Sequence, residues 1–204
     1  MIIIIDYGMG NLGSLANMLK KIHLPAKISS DLEDIESAEK LILPGVGSFD
    51  HGMQKLQELN LIEILNKKVI RDKTSILGIC LGMQLFTKTS EEGSKPGLGW
   101  VDANTVKFNV GKDPSFKIPH MGWDTLDIKK THFLMQNTDS NAMYYFVHSF
   151  HVVCNRSDDV LSTSHYGYHF VSSLAKDNIT GVQFHPEKSH KYGMKLLENF
   201  CNHE

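Results

Sequence analysis

One short stretch, Thr74 to Gln84, constrains the fold of this chain more than any other. An apolar run ends at Gly78, Cys80 and Gly82 follow, and an amphipathic segment then runs from Met83 to Lys88. Glycines two positions before and after a nucleophile are typical of a sharp turn from strand to helix, because only a residue without a Cβ lets neighbouring segments pass so closely. The start of the next helix would favour a thiolate. The pattern predicts a nucleophile on a tight turn, and a buried structural cysteine is the alternative.

The first half of the chain alternates apolar runs with amphipathic segments. Strands are predicted over residues 1–6, 25–30, 40–43 and 75–77, and helices over residues 12–22, 31–38, 52–59 and 61–71. Continuous apolar runs are typical of parallel strands that are covered on both faces. This order predicts an α/β fold with a doubly wound, mainly parallel central sheet and helices on both faces.

The second half of the chain is richer in aromatic and β-branched residues. Strands are predicted over residues 100–110, 144–153, 161–164, 169–175 and 179–184. The two shorter strands, over residues 161–164 and 169–175, fit a small antiparallel addition to the sheet, and a C-terminal helix is predicted to end near Cys201. Because the chain has 204 residues and no convincing linker, residues 1–204 are expected to form one domain.

The composition argues against several functional classes. The formal net charge is −2 and no basic block occurs, so nucleic acid is not an expected partner. No apolar run approaches the roughly 20 residues that a membrane span requires, and the N-terminal run lacks the basic flank of a signal peptide. The 3 scattered cysteines fit a reducing, cytoplasmic setting. The histidines lack zinc-ligand spacing, and neither a metal nor another cofactor is expected.

A glycine-rich turn supports a function of another class. Gly8, Gly10 and Gly13 match the dinucleotide fingerprint, follow a strand and open a helix, and Asp31 lies about 20 residues further on. The alternative hypothesis is therefore a dinucleotide-binding oxidoreductase. The predicted second strand is short and polar, however, and the glycines serve a tight turn equally well.

Two further motifs supply what a cysteine nucleophile needs. His185-Pro186-Glu187 directly follows a predicted strand, and a cysteine works best beside a histidine that a third group orients. Since carboxyl ends of parallel strands meet at one edge of a sheet, we expect His185 near Cys80. The turn Pro44 to Gly47 also follows a strand, and its backbone N–H groups are candidates to face an oxyanion.

Together, the Cys80 turn, the Pro44 to Gly47 turn and His185-Pro186-Glu187 resemble the motifs of the class I (triad) glutamine amidotransferases. The resemblance implies that the Cys80 thiolate attacks the side-chain amide of L-glutamine. It implies that His185 protonates the departing ammonia and then activates water, while Glu187 holds the imidazole.

The resemblance also implies roles for residues around the triad. Backbone N–H groups near Val46 and Leu81 would form the oxyanion hole after a rearrangement of residues 45–47. The positions that match glutamine-binding residues of the family are Gly47, Gln84, Glu92, His148, Ser149 and Phe150.

Longer strings are similar to family members that deliver ammonia to a cyclase in histidine biosynthesis. These strings are Asp6 to Leu12, Pro119 to Trp123, Tyr145 to Ser149 and His185 to Ser189. The resemblance implies a heterodimer with a (β/α)8-barrel cyclase subunit, which forms imidazole glycerol phosphate. The positions that match the family's docking face are Asn11, Met121, Trp123 and Lys188.

Two positions depart from the pattern of these family members. Asp124 stands where asparagine is common, and Phe150 stands where tyrosine is common. Asp124 places a charge near the expected docking face. A related glutaminase that supplies ammonia to an amidotransferase of a surface-sugar pathway is therefore an open alternative.

Overall fold

A large mixed sheet flanked by helices organises this protein, as seen in a computed structural model that describes residues 1–111 and 115–203. The strands are β1 (Ile2–Ile5), β2 (Ala26–Ser29), β3 (Lys40–Gly45), β4 (Ser75–Cys80), β5 (Thr89–Ser90), β6 (Ala103–Lys107), β7 (His120–Thr125), β8 (Asp127–Ile128), β9 (Met143–His148), β10 (Phe150–Cys154), β11 (Val160–Tyr166), β12 (Tyr168–Lys176) and β13 (Ile179–Val182). The α-helices are α1 (Leu12–Lys21), α2 (Leu32–Glu36), α3 (Phe49–Glu58), α4 (Leu61–Asn66), α5 (Leu81–Leu85) and α6 (His190–Asn202).

The parallel half of the sheet has the strand order β2-β1-β3-β4-β13. Side chains alternate between its faces, so that Ile3 and Ile5 pack with one apolar core and Ile4 packs with the other. Helices α2 to α5 contribute to the first core, and α1 and α6 contribute to the second. The predicted doubly wound α/β architecture is confirmed, whereas the prediction of one domain over residues 1–204 stays a prediction.

The antiparallel half continues the main sheet from β13 through β12, β10 and β6, and β7 pairs with β9 in a separate two-stranded sheet. The prediction of one strand over residues 144–153 is wrong, because the chain changes sheets at Ser149. Strand propensity is high on both sides of Ser149, and it carries no information about which partner each side pairs with. Strand β7 was not predicted.

The three strands that carry the motifs lie side by side at the centre of the sheet. Strand β4 is flanked by β3 and β13, with Gly45 paired to Cys80 and Val182 paired to Ile79. All three strands run in the same direction, so their carboxyl ends meet at one edge. This edge brings the Cys80 turn, the Pro44 to Gly47 turn and the segment after β13 together.

The predicted helix over residues 61–71 is α4 followed by a π-helical turn at Lys67–Arg71. The C-terminal helix and the cap of α2 by Asp31 follow the sequence expectation. No helix within residues 1–111 and 115–203 is both long and apolar enough to cross a membrane.

Candidate active site

Cys80 occupies a strained turn between β4 and α5. Its φ is +53°, which a residue with a side chain adopts rarely, and only 7% of its surface is exposed. A Cβ added at Gly78 would lie 2.7 Å from the backbone nitrogen of Met83, and one added at Gly82 would lie 1.8 Å from the carbonyl oxygen of Leu43. The two glycines are therefore required by close backbone contacts, as the sequence predicts.

Because the clashing oxygen of Leu43 is backbone of β3, which is paired to β1 and β4, Gly82→Ala is expected to lower the free energy of unfolding by about 3 kcal/mol or more. The matched control is Gly13→Ala in α1, where an added Cβ meets nothing within 4 Å. Alanine there should stabilise the protein by about 0.5–1 kcal/mol, because it is the better helix former. Urea denaturation of both variants measures the difference, and equal stabilities would contradict the steric role of Gly82.

The imidazole of His185 forms a short hydrogen bond with a carboxylate. Its Nδ1 lies 2.8 Å from Oε1 of Glu187, and the two side chains are 1% and 5% exposed. The other ring nitrogen, Nε2, is buried and makes no hydrogen bond of standard geometry within the described residues. Glu187 therefore fixes the ring and leaves Nε2 available on the side of Cys80.

The charges around His185 favour its protonated form. Burial by itself would lower the pKa of His185, but the thiolate of Cys80 and the carboxylate of Glu187 outweigh burial and raise the pKa from 6.5 to about 10. His185 is therefore favoured as an imidazolium at neutral pH. An imidazolium beside a cysteine can supply a proton to a leaving group.

The segment that carries His185 is anchored on both sides. The backbone N–H of His185 donates to the carbonyl of Tyr145 (2.8 Å), and the hydroxyl of Ser189 donates to the carbonyl of His185 (2.6 Å). The same hydroxyl accepts from the backbone N–H of Tyr145 (3.0 Å). On the other side, Gly193 of α6 packs so closely that an added Cβ would lie 1.8 Å from the carbonyl oxygen of Pro186. These contacts hold the imidazole without involving its ring.

A cavity of about 300 Å³ opens beside Cys80. Its lining comes from the carboxyl ends of β3 and β4, from the residue before β7 and from the junction of β9 and β10. The lining residues are Val46, Gly47, Cys80, Leu81, Gln84, Glu92, Pro119, Val147, His148, Ser149 and Phe150. The cavity thus unites the residues predicted to form the oxyanion hole and to bind glutamine, while His185 and Glu187 are not among its lining residues.

Backbone groups at the junction of β9 and β10 are tied to side chains of the cavity. The amide nitrogen of Gln84 donates to the carbonyl of Phe150 (3.1 Å), and Nδ1 of His148 lies 2.8 Å from the same oxygen. These contacts use the backbone carbonyl of Phe150, so they do not depend on whether residue 150 is phenylalanine or tyrosine. Glu92 accepts from the backbone N–H of Phe49 at the start of α3 (2.7 Å), so one of its oxygens is engaged.

The segment beside Cys80 that was predicted to face an oxyanion packs against the turn after β1. The hydroxyl of Tyr7 donates to the carbonyl of Pro44 (2.7 Å), and an added Cβ at Gly47 would lie 2.8 Å from the terminal methyl of Met9. Gly47 has a φ of +116° and Val46 is 44% exposed. Tyr7 is fully buried, and burial together with the Cys80 thiolate raises its pKa.

Three buried histidines near the cavity behave unlike His185. Burial lowers the pKa of His148 to about 3 and of His120 to about 4, and it also lowers the pKa of His151. Nδ1 of His120 lies 3.2 Å from Nε2 of His148. These rings are neutral at neutral pH, and His185 is the charged imidazole of the site. Within the described residues, no group of three metal-binding side chains is placed to hold an ion.

The residues predicted to form a docking face lie outside the cavity. Met121 and Trp123 are 61% and 43% exposed, and Trp123 stacks on His190 with a ring separation of 5.3 Å. Lys188 is exposed and lies over the ring of Tyr145, which is also in edge contact with Trp123. The result is a partly apolar exposed surface, which we call the Trp123 surface, formed by these five residues.

Asn11 caps α1 by accepting from the backbone N–H of Ser14, and α1 packs against the turn Pro186–Lys188. The glycine-rich turn before it has a structural explanation. A Cβ added at Gly10 would lie 3.2–3.4 Å from Pro44 and Gly45, and Asp31 is engaged in capping α2. These contacts account for the turn without a dinucleotide.

Sequence reasoning missed three polar residues that hold the site: Tyr7, Gln183 and Ser189. Gln183 is fully buried, and its side-chain amide nitrogen lies 3.6 Å from the sulfur of Cys80. Its position two residues before His185 was a usable signal, because side chains two apart in extended chain share a side. Tyr7 and Ser189 gave no signal beyond lying next to a motif.

Comparison with known proteins gives one consistent family. The family model for glutamine amidotransferase class-I matches residues 3–203. The chain is 57% identical over 200 residues to the imidazole glycerol phosphate synthase subunit HisH 2 of Methanococcus maripaludis, with 98% of each chain covered. It is 47% identical to the HisH 2 subunit of Pseudomonas aeruginosa, again with 98% of each covered, and 43% identical over 201 residues to the HisH subunit of Bdellovibrio bacteriovorus.

Solved structures agree at the level of the fold. A glutamine amidotransferase superposes with a TM-score of 0.71 at 17% identity, covering 98% of both chains. The PurLQS structure from Thermotoga maritima gives a TM-score of 0.69 at 17% identity, covering 98% of this chain and 97% of that one.

Proposed function

This chain belongs to the class-I glutamine amidotransferase family, and from that membership we propose that it hydrolyses L-glutamine with a Cys80-His185-Glu187 triad and passes the ammonia to a partner subunit. The observation that carries the proposal is the charge arrangement at the carboxyl edge of β4 and β13. A strained cysteine borders a cavity, and a neighbouring imidazole with a pKa raised to about 10 is held by a buried carboxylate.

The first half-reaction forms a thioester. The Cys80 thiolate attacks the side-chain carbonyl carbon of glutamine, and the carbonyl oxygen takes up the negative charge. When the tetrahedral intermediate collapses, the C–N bond breaks and the imidazolium of His185 gives its proton to the leaving nitrogen, which departs as ammonia. Glu187 stabilises the positive ring until the proton has been transferred.

The second half-reaction restores the enzyme. Neutral His185 takes a proton from a water molecule, and the resulting hydroxide adds to the thioester carbon. The C–S bond breaks, glutamate leaves, and Cys80 is again a thiolate beside an imidazolium. No cofactor is needed, because the overall reaction is a hydrolysis.

Backbone N–H groups of Val46 and Leu81 would stabilise the oxyanion in both steps. The loss of one such donor typically costs about 3 kcal/mol of barrier. Val46 lies at the exposed rim of the cavity and Leu81 directly follows the nucleophile. A change in the backbone of residues 45–47 would bring the Val46 donor into place, and the glycines on either side permit it.

A cyclase subunit with a (β/α)8 barrel is the proposed acceptor of ammonia. The relatives named above are subunits of imidazole glycerol phosphate synthase, which supports a heterodimer that forms imidazole glycerol phosphate and aminoimidazole carboxamide ribotide in histidine biosynthesis. The Trp123 surface offers apolar contact area beside the segment that carries His185. Exposed aromatic and methionine side chains of this kind are common in interface cores.

We expect weak glutaminase activity from the isolated chain and strong activation by a partner that holds its own ligand. The reason is the Val46 donor, which must be brought into place before it can stabilise the oxyanion. Steady-state glutamate release should be measured for the chain alone, with the barrel cyclase, and with the cyclase plus its nucleotide substrate. Full activity of the isolated chain would contradict this expectation, and Cys80→Ala in the same complex controls for contaminating glutaminases.

A second candidate acceptor is an amidotransferase of a surface-sugar pathway. Two of the relatives carry the numbered name HisH 2, and Asp124 places a carboxyl group where asparagine is common. Burial raises the pKa of Asp124, which shows that its charge is poorly solvated in the free chain. Co-purification with each candidate subunit, followed by glutamine-dependent amidation of each acceptor, decides between the two.

A further inference from the structure

We propose that Gln183 is a positioning residue that couples the nucleophile to the substrate-binding side chain Gln84. The side-chain amide nitrogen of Gln183 donates a hydrogen bond to the sulfur of Cys80, and its amide oxygen accepts one from Gln84. The proposal rests on the proposed function, since it takes Cys80 to be the nucleophile.

The backbone places Gln183 next to Cys80. Val182 pairs with Ile79 in the parallel ladder between β13 and β4, so the following residues, Gln183 and Cys80, lie at the same level. The backbone N–H of Gln183 donates to the carbonyl of Ser172 (2.9 Å), which fixes the chain at this point. The side chain has no exposed surface, and its Nε2 donates to the Cys80 sulfur at 3.6 Å.

The other end of the same amide is engaged as well. Gln84 donates from its Nε2 to Oε1 of Gln183 (3.1 Å) and to the carbonyl of Phe150 (3.1 Å). Both amide hydrogens of Gln84 are thereby used, so its own Oε1 is the atom left to accept a hydrogen bond from a ligand in the cavity. One buried amide therefore sets the orientation of Gln84 and contacts the nucleophile.

A buried primary amide is costly unless its donors and acceptor are paired. Here the donor faces sulfur, and a hydrogen bond to a thiolate favours the charged form of the thiol. His185 supplies a charge near the sulfur, whereas Gln183 supplies a directed donor from an adjacent strand. This donor would hold the sulfur in a fixed position beside the cavity.

The experiment compares Gln183→Leu with the unchanged chain in two assays. The first follows alkylation of Cys80 by iodoacetamide across neutral and alkaline pH, with mass spectrometry of the Cys80 peptide. We expect the pH profile to move upwards and the rate at neutral pH to fall about 10-fold, since a hydrogen bond to a charged group is lost. The second assay is glutamine hydrolysis in the complex, where we expect a lower kcat and a higher KM.

Two further variants make the result specific. Gln183→Glu keeps an acceptor for Gln84 but replaces the donor to sulfur with a carboxylate, so it should shift the alkylation profile with a smaller change in KM. If Gln183→Leu does not fold, the alkylation profile of Gln183→Glu tests the positioning role instead. Thr180→Val is the control, because Thr180 is a buried polar residue of β13 whose hydroxyl donates to the carbonyl of Ile76 and not to Cys80.

An unchanged alkylation profile in folded Gln183→Leu or, if that variant fails to fold, in folded Gln183→Glu would overturn the positioning role of Gln183. A shift of equal size in Thr180→Val would overturn it too, because the effect would then be structural. Failure of the proposed function gives a different result, in which the unchanged chain still hydrolyses glutamine after Cys80 has been fully alkylated.

Discussion

Replacement of Cys80 with serine is expected to lower kcat for glutamine hydrolysis by about 10⁴-fold or more, because the proposed covalent intermediate depends on the thiolate. A serine hydroxyl at the same place remains protonated at neutral pH and is a far weaker nucleophile than a thiolate. Glutamate release by the complex measures the loss. The turn itself should survive, because serine is close to cysteine in size.

The product of the partner subunit gives the control for this variant. With Cys80→Ser in the complex, added ammonium salt should restore synthesis at the acceptor site, while glutamine should not. Rescue by ammonia shows that the acceptor site of the partner is intact, so the loss with glutamine lies in the supply of ammonia. Glutamine hydrolysis within about 10-fold of the unchanged complex would exclude Cys80 as the nucleophile, since loss of a true nucleophile costs far more.

Glu187→Gln is expected to lower kcat by about 10³-fold and to change the pH dependence. An amide still accepts from Nδ1 but no longer supplies a negative charge, and loss of the orienting carboxylate in a catalytic triad has effects of about 10⁴-fold. The pKa of His185, about 10 with the carboxylate and the thiolate present, should fall. Because the proposed mechanism uses the imidazolium proton to release ammonia, activity should be lost as pH rises through this pKa. The alkaline limb of kcat/KM should therefore move to lower pH.

A matched carboxylate elsewhere separates this effect from a general change in charge. Glu58→Gln removes an exposed ion pair with Lys55 in α3, and the pH profile of this variant should match that of the unchanged complex. If Glu187→Gln leaves the alkaline limb in place, Glu187 does not control the charge of His185. In that case the proposed catalytic group would consist of Cys80 and His185 alone.

The motifs of the proposed chemistry could be recognised in the sequence, because each depends on a short stretch of backbone. The glycines around Cys80 indicated a tight turn, and the structure shows the two close contacts that require them. His185 and Glu187 are two residues apart, so their hydrogen bond needs only the local turn that Pro186 begins. The alternation of apolar runs and amphipathic segments likewise determined the parallel half of the sheet.

Other features depended on contacts between distant parts of the chain. The division of residues 144–153 into β9 and β10 follows from pairing with β7 on one side and with β6 and β12 on the other. The raised pKa of His185 requires the thiolate of Cys80 beside it. Gln183 approaches Cys80 across 103 positions of the chain.

The sequence by itself therefore determined the class of fold, the tight turn at Cys80 and the proposed triad. The tertiary structure alone decided which polar groups surround them, namely Tyr7 at the Pro44 carbonyl and Gln183 at the sulfur. The physical reason is the range of the forces involved. Backbone preference and glycine geometry act within a few residues, whereas strand order, register and burial arise only when the whole sheet packs.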